Sequence, residues 1–110
     1  MSDLDVITAV LDHARAHALV NTISSVGVVG GTASVYVSGA VGRERRVAFL
    51  RWCRSVGATV VETDTYYHCG AGVLADGTPA EVRVAVYACE DEPPADLVTT
   101  DLAVLAEVWS

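Results

Sequence analysis

Residues 66–78, YYHCGAGVLADGT, bring together several residue types that could do chemistry. His68 stands beside Cys69, the composition of a thiol–imidazole nucleophile or of two metal ligands. The Gly-x-Gly that follows is typical of loops that hold the phosphates of a nucleotide. Which of these sites can exist depends on the secondary structure that presents the residues.

The same segment also carries a strong hairpin signal. Asp76-Gly77 lies between two alternating runs and predicts a two-residue turn, so that Cys69 pairs with Val84 and His68 with Ala85. Adjacent residues of a strand point to opposite faces, which excludes a dyad between the histidine and the cysteine. We therefore expect Cys69 in the core and His68 on the outer face of a sheet.

Three further chemical readings are weak. The glycine motif is followed by a turn and a strand, whereas a dinucleotide site needs a helix there, so we expect no cofactor. His13 and His17 are spaced to share a metal on a helix, but no third ligand is apparent and we expect no metal site. The odd number of cysteines, 3, favours buried thiols over a disulfide framework.

Composition narrows the classes of protein and partner. A chain of 110 residues that is 52% apolar and 19% charged is typical of one folded domain rather than a disordered segment. No apolar run reaches the roughly 20 residues of a membrane span, and the acidic start lacks the basic region of a signal peptide. We expect a cytoplasmic protein, and its net charge of −7 argues against binding nucleic acid.

Two helices are predicted from apolar spacing. The first covers residues 3–19, and its apolar stripe consists of Leu4, Ile7, Leu11, Ala14 and Ala18. The second covers residues 43–56 and ends at Gly57. Its predicted core face consists of Ala48, Phe49, Trp52, Cys53 and Val56, whereas Val47 and Leu50 are expected on the opposite, arginine-rich side.

Alternating runs predict two hairpins. Gly30-Gly31 is a turn signal that pairs Val29 with Thr32, and the second hairpin joins residues 58–69 to the run EVRVAVYAC. Prolines at 93 and 94 end this hairpin, and we expect residues 1–92 to form the domain and residues 93–110 a C-terminal tail. The tail is predicted as a short helix holding Leu102, Leu105 and Trp109, with a strand as the alternative.

The fold class that follows is α+β. We expect a two-layer sandwich in which a four-stranded antiparallel sheet carries two helices on one face, in the order αββαββ. Moving the last strand to the front would give the order of the ferredoxin-like fold, an analogy that carries no function.

Two surfaces are candidates for binding. The outer faces of the predicted hairpins carry Tyr36, Tyr66, His68, Arg83 and Tyr87. Tyrosines combine apolar area with a polar tip and are enriched at contact surfaces. One arc of the second helix carries Arg43, Arg46, Arg51 and Arg54, whose guanidinium groups could bind a phosphate, a carboxylate or an acidic partner, or form a solvated face.

The run LADGTPAEVRVAVYA, in a chain whose 7 basic residues are all arginine, resembles small uncharacterised proteins of actinobacteria and their phages. The resemblance covers mainly the second hairpin. It implies an accessory protein of unknown function and transfers no catalytic residue.

The sequence thus favours a small, non-catalytic protein that acts by binding, as a homodimer or with another protein, such as a phage or mobile-element accessory factor. One alternative is a ligand-binding protein or enzyme that uses His68, Arg83, Tyr66 and Asp64. A second alternative is an acidic mimic of nucleic acid, which would need its carboxylates clustered on one face.

Overall fold

The computed structural model describes residues 2–38, 42–86 and 97–109. These residues form an α+β fold of three α-helices and one six-stranded sheet. The helices are α1 (Asp3–Ala16), α2 (Gly42–Ser55) and α3 (Leu102–Val108). The strands are β1 (Ile23–Val29), β2 (Thr32–Val37), β3 (Val60–Thr63), β4 (Tyr67–Val73), β5 (Pro79–Ala85) and β6 (Val98–Asp101).

The sheet corrects the predicted topology. Its strand order is β1-β2-β5-β4-β3-β6, and β2 pairs with β5 in parallel, whereas the other pairs are antiparallel. The sheet is therefore mixed and six-stranded, so the expected four-stranded antiparallel sheet and the αββαββ order are wrong. The analogy with a permuted ferredoxin-like order is lost with them.

Asp64 explains one of the two additional strands. Its carboxylate accepts hydrogen bonds from the backbone N–H of Tyr66 at 2.7 Å and of Tyr67 at 2.8 Å. Such an Asx turn reverses the chain, and the run that we predicted as a single strand becomes β3 and β4, paired through Val61 and Gly70. The regular alternation around Asp64 predicts one continuous strand, but the turn that its carboxylate stabilises divides that strand into two.

The C-terminal segment contributes the sixth strand. Both alternatives considered for it are present, because β6 pairs with β3 and leads directly into α3. Leu102 and Leu105 are buried in the core, and Trp109 packs against Phe49 and His68. This segment is part of the main sheet and core.

All three helices pack on one face of the sheet, around a shared core. In α2 the predicted arc from Ala48 to Val56 is buried, but Leu50 is buried as well, contrary to expectation. In α1 the predicted stripe is confirmed only in part: Ala14 is buried, but Leu4 is 71% exposed, and the other buried residues are Val6, Val10 and His13. The buried face of α1 is therefore shifted around the helix from the predicted stripe, and it includes a histidine that apolar spacing does not reveal.

Candidate functional site

The opposite face of the sheet carries no helix from the described part of the chain. We call it the open face. Strand alternation and pairing place there the side chains of Ser25, Ser34, Tyr36, Tyr67, Cys69, Glu81 and Arg83. The open face is the surface on which the sequence predicted a contact site.

Arg83 lies at the centre of the open face because its β5 position pairs with Tyr36 on one side and Cys69 on the other. Its guanidinium donates to the Glu81 carboxylate at 2.6 Å and to the Ser34 hydroxyl at 3.4 Å. Burial acts to lower the pKa of Arg83, but Cys69, Glu81 and Tyr36 together outweigh it and raise this pKa. Arg83 is thus a fixed cation in a polar network.

The tyrosines surround this network at one end of the sheet. The rings of Tyr36 and Tyr67 meet edge to face, with centroids 5.8 Å apart. Tyr66 follows in the β3–β4 turn and is 71% exposed. Hydrogen bonds from the Tyr67 and Tyr66 amides lower the pKa of Asp64, so its carboxylate stays ionised and holds the turn. The aromatic groups are therefore presented by a constrained backbone.

A concave opening of about 310 Å³ lies among these residues. Its walls come from the start of β1, the ends of β2 and β5, the β3–β4 turn and the first turn of α2. The lining side chains that matter chemically are Ser24, Ser25, Tyr36, Arg45, Tyr66, Tyr67 and Arg83. We call this cavity the open-face pocket. It combines aromatic surface, hydroxyl groups and two guanidinium groups.

His68 does not belong to the open face. The observed β4–β5 register pairs His68 with Val84, one residue from the prediction, and buries the ring to 1% exposure. Its Nδ1 lies 2.7 Å from the Thr63 hydroxyl, and Trp109 packs edge-on against it. The placement of His68 on the outer face was wrong, because the turn has three residues, Ala75 to Gly77, between Leu74 and Thr78.

The same shift brings Cys69 to the open face, where it pairs with Arg83. Partial burial raises the pKa of the Cys69 thiol, an effect larger than the opposing influence of Arg83. Burial also raises the pKa of Cys53 to about 12. Both groups are protonated thiols at neutral pH, and a thiolate is the form that acts as a nucleophile.

The glycines of the GAG motif serve packing. A Cβ atom at Gly72 would lie 2.1 Å from the Val56 carbonyl oxygen, and one at Gly70 would lie 2.6 Å from the Cys53 sulfur. The same Val56 carbonyl accepts a hydrogen bond from the Val73 amide at 2.9 Å. These glycines let the end of α2 approach β4, so the motif is structural.

Three of the four candidate arginines of α2 line shallow depressions along the helix. Arg51 donates two hydrogen bonds, each 3.2 Å long, to the carbonyl oxygens of His17 and Ala18 at the end of α1. Arg43 and Arg51 line one shallow depression beside Val47, Arg51 and Arg54 line another beside His17, and Arg46 is half-buried. Arg54 is exposed near Thr59, at the opposite end of the helix.

The sequence also drew attention to Tyr87 as a binding residue and to His13 as a possible metal ligand. Tyr87 lies outside the described residues. His13 is buried, its Nδ1 accepts from the Ala75 amide at 3.0 Å, and its Nε2 lies 2.9 Å from the Ser55 hydroxyl. Both ring nitrogens therefore hold the fold together. Within residues 2–38, 42–86 and 97–109 no group of three or more metal-ligating side chains occurs.

The sequence did not single out four of the seven pocket side chains named above, which are Ser24, Ser25, Arg45 and Tyr67. The predicted register, which puts Cys69 in the core, also puts Tyr67 there, because residues two apart in a strand share a face. Arg45 interrupts the apolar arc of α2, and that interruption was the available signal: a charged residue at the start of a buried helix face points to the edge of the core, where this pocket opens.

Comparison of the chain with models of protein families, with curated proteins and with solved structures yields no match. In the described segments, no helix has the length and apolar character needed to cross a membrane. The candidate site is accordingly defined by its own geometry.

Proposed function

We propose that this protein is a small, non-catalytic binding protein whose contact surface is the open face, and that its partner is another protein. The observation that carries the proposal is the convergence of Tyr36, Tyr66, Tyr67 and Arg83 around a concave opening of about 310 Å³. A pocket of this size accommodates one or two anchoring side chains of a partner.

The tyrosines supply the apolar part of the contact. Tyrosine and arginine are the residue types most often found among the few side chains that dominate binding energy. Tyr66 is largely exposed, whereas Tyr36 and Tyr67 support each other through their edge-to-face contact. A rigid aromatic floor with one projecting ring favours recognition of a peptide segment without costly reordering of the surface.

The charges favour a partner that presents an acidic side chain. Arg83 is held by Glu81 and Ser34, so it offers a positioned rather than a mobile guanidinium. Arg45 brings a second guanidinium to the same opening. Guanidinium groups bind carboxylates through charge-assisted hydrogen bonds, which supports an Asp or Glu side chain of the partner as the polar anchor.

The structure supports binding more than catalysis. Of the four residues considered for an enzyme, only Arg83 and Tyr66 line the open-face pocket. His68 lies on the core side of the sheet, and the Asp64 carboxylate is engaged by backbone amides. Acid–base chemistry needs its groups within hydrogen-bond reach of one substrate atom, and these four do not share such a position.

A displayed library of random peptides, selected on the purified protein, tests this proposal. We expect recovered peptides to share an acidic residue near an apolar one, and their affinity to fall at least tenfold with Tyr66→Ser or Arg83→Gln. The matched control is Val73→Ser, an exposed change on the same face at the far end of β4.

The proposal is overturned if no peptide is recovered, or if the recovered peptides bind the Tyr66 and Arg83 variants as tightly as the control. Circular dichroism of each variant establishes that the fold is intact. If Arg83→Gln unfolds, the Tyr66→Ser variant decides the test, because Tyr66 is 71% exposed and its removal leaves the core intact.

A second candidate is a small aromatic anion as ligand, which the combination of tyrosine and arginine side chains lining the pocket favours. Benzoate and phenyl phosphate are suitable probes, because each combines a ring for the tyrosines with an oxyanion for the guanidinium groups. Amide chemical shifts that move only around the pocket would support this candidate. Shifts spread evenly over the surface would reject it.

A further inference from the structure

Strand β1 is an unusual sheet edge. It forms one end of the sheet and pairs only with β2 among the described strands. Its seven residues, ISSVGVV, include no charged side chain and no proline. Proteins commonly protect exposed edges with charges, prolines or very short strands, because unpaired backbone groups there can bond to another strand. A long, uncharged edge of this kind is suited to pairing with a further strand.

The geometry of the β1–β2 hairpin identifies the backbone groups that are available. Gly30 and Gly31 have φ angles of +57° and +80°, as in a type I′ turn, and Val29 pairs with Thr32. Residues flanking such a turn exchange both hydrogen bonds, and the pattern alternates along the strand. The N–H and C=O groups of Val26 and Val28 therefore point away from β2, toward the free edge.

The distribution of charge favours contact at this edge between two identical chains. The chain carries a net charge of −7, so most faces of two copies repel each other. No acidic residue occurs between Asp12 and Glu44, a stretch that includes the whole β1–β2 hairpin. The other edge strand, β6, has only four residues and includes Asp101. Copies that meet through β1 keep their acidic ends apart.

We propose that two copies of this chain pair through antiparallel β1 strands, with a two-fold axis beside Gly27. In this register the backbone of Val26 in each copy hydrogen-bonds to Val28 of the partner subunit. The N–H and C=O groups that point away from β2 at these two β1 positions are then all satisfied. The two sheets become one sheet of twelve strands, the sum of six in each copy. An antiparallel pair of identical strands is self-complementary, which closes the assembly at a dimer.

The dimer also affects the open-face pocket. Ser24 and Ser25 form its wall at the start of β1, and this wall is the sheet edge. Pairing brings the end of the partner subunit's β1 beside these serines and makes the wall continuous with a second sheet. The two open faces then lie on the same side of the assembly, with one pocket in each half.

Gly27→Asp tests the proposed interface. A Cβ atom at Gly27 would meet only the Ser34 Cβ, at 3.9 Å, so the monomer accommodates the side chain. In the dimer, two carboxylates would face each other across the axis, and like charges directly opposite are destabilising. The matched control is Val73→Asp, which adds the same charge to an exposed open-face position of an inner strand, β4, opposite the uncharged Pro79.

Sedimentation equilibrium is the measurement. We expect the wild-type chain and Val73→Asp to be dimers, and the dissociation constant of Gly27→Asp to rise at least tenfold. Amide hydrogen exchange gives a second readout, because Val26 and Val28 should be protected in the dimer and lose protection on dilution. Circular dichroism verifies that Gly27→Asp is folded.

A monomer at the highest attainable concentration overturns the proposal. A dimer that Gly27→Asp does not weaken, or whose Val26 and Val28 amides exchange as fast as in the monomer, also overturns it, as do open filaments. The outcome is separate from that of the proposed function, because Tyr66→Ser should lose peptide binding and remain dimeric.

Discussion

At the scale of single residues, His13 shows how a buried titratable group can stabilise the fold. His13 Nδ1 accepts a hydrogen bond from the Ala75 amide, which requires that nitrogen to be unprotonated. The proton of the neutral ring then resides on Nε2 and is donated to the Ser55 hydroxyl, which in turn donates to the Trp52 carbonyl. One histidine thus joins α1, α2 and the β4–β5 turn.

This arrangement predicts a pH dependence of stability. Burial, followed by the nearby His17, lowers the pKa of His13 below its ordinary value of 6.5, and Asp76 only partly opposes the shift. The unfolded chain therefore binds this proton more readily than the folded chain, so the stabilisation is present above pH 6.5 and is lost as the pH falls below it. Urea unfolding at about pH 7.5 and about pH 5.5 measures the loss.

His13→Gln is the variant that isolates the effect. It should be less stable at neutral pH by about 1–3 kcal/mol, because the Ala75 amide loses its acceptor. Its stability should also change less with pH than that of the wild-type chain. The carboxylates with lowered pKa values, Asp5, Asp64 and Asp76, start from 3.8 and titrate below this window. A variant with the full wild-type pH dependence would contradict the assignment to His13.

Gly72 gives a second prediction at this scale. Gly72→Ala places a methyl group against the Val56 carbonyl, so we expect a loss of about 1–3 kcal/mol from overpacking, together with strain on the Val73–Val56 hydrogen bond. Gly27→Ala is the control, because its Cβ atom meets only an ordinary contact. Urea unfolding at one fixed protein concentration compares them, and equal stabilities would refute the packing role of the GAG motif.

Of the two hairpin turns predicted from the sequence, one has the expected register and the other does not, and the second error misplaced two chemically important side chains. The Gly30-Gly31 turn was confirmed with its register, because two consecutive glycines of positive φ specify one turn type. Asp76-Gly77 lies in a three-residue turn instead, and the shift of one residue exchanged the faces of His68 and Cys69. Side-chain orientation in a strand alternates, so a register error of one residue reverses every assignment of face.

At the scale of elements, the C-terminal segment was the least predictable. Strand β6 has only four residues, with three exposed and one half-buried, so no alternation marks it as a strand. It exists because β3 offers a free edge and α3 can bury Leu102 and Leu105. The β3–β4 turn was missed for a related reason, since an Asx turn depends on one carboxylate within an otherwise regular run.

The role of this segment in the core can be measured. Leu105→Ala should lower the free energy of unfolding by about 2–5 kcal/mol, because it leaves a cavity between α3 and the core. Val104→Ala changes the neighbouring residue, which is 47% exposed, and should alter stability by about 0.5 kcal/mol or less. Both proteins should unfold in a single transition. A separate early transition in Leu105→Ala would indicate that the segment folds apart from the sheet.

At the scale of the whole molecule, the helices build the core on one face of the sheet, and the proposed contact surface is the opposite, open face. The α+β class was predictable from the apolar periodicity, and the predicted core residues of α2 are all buried, with Leu50 in addition. Strand order was not predictable, since the parallel β2–β5 pair joins strands that are distant in sequence. The open-face pocket depends on that pair, because it sets Tyr36 beside Arg83.

Charge is also organised over the whole molecule. The β1 edge is free of acidic residues, whereas the far end of the sheet carries Glu62, Asp64 and Asp101. Pairing through β1 would make a particle with acidic ends and two pockets on a common face. Such a dimer would bind a partner with two binding segments more tightly than a monomer does, because the second contact becomes intramolecular.

The central claim is that the open face binds a partner at the pocket formed by Tyr36, Tyr66, Tyr67 and Arg83. The most direct measurement is a titration of the isotope-labelled protein with the tightest library-selected peptide, followed by amide chemical shifts. The account predicts that the largest changes fall on the β3–β4 turn and on the ends of β2 and β5. Largest changes on the outer surfaces of α1 or α2, with the open face unaffected, would contradict it.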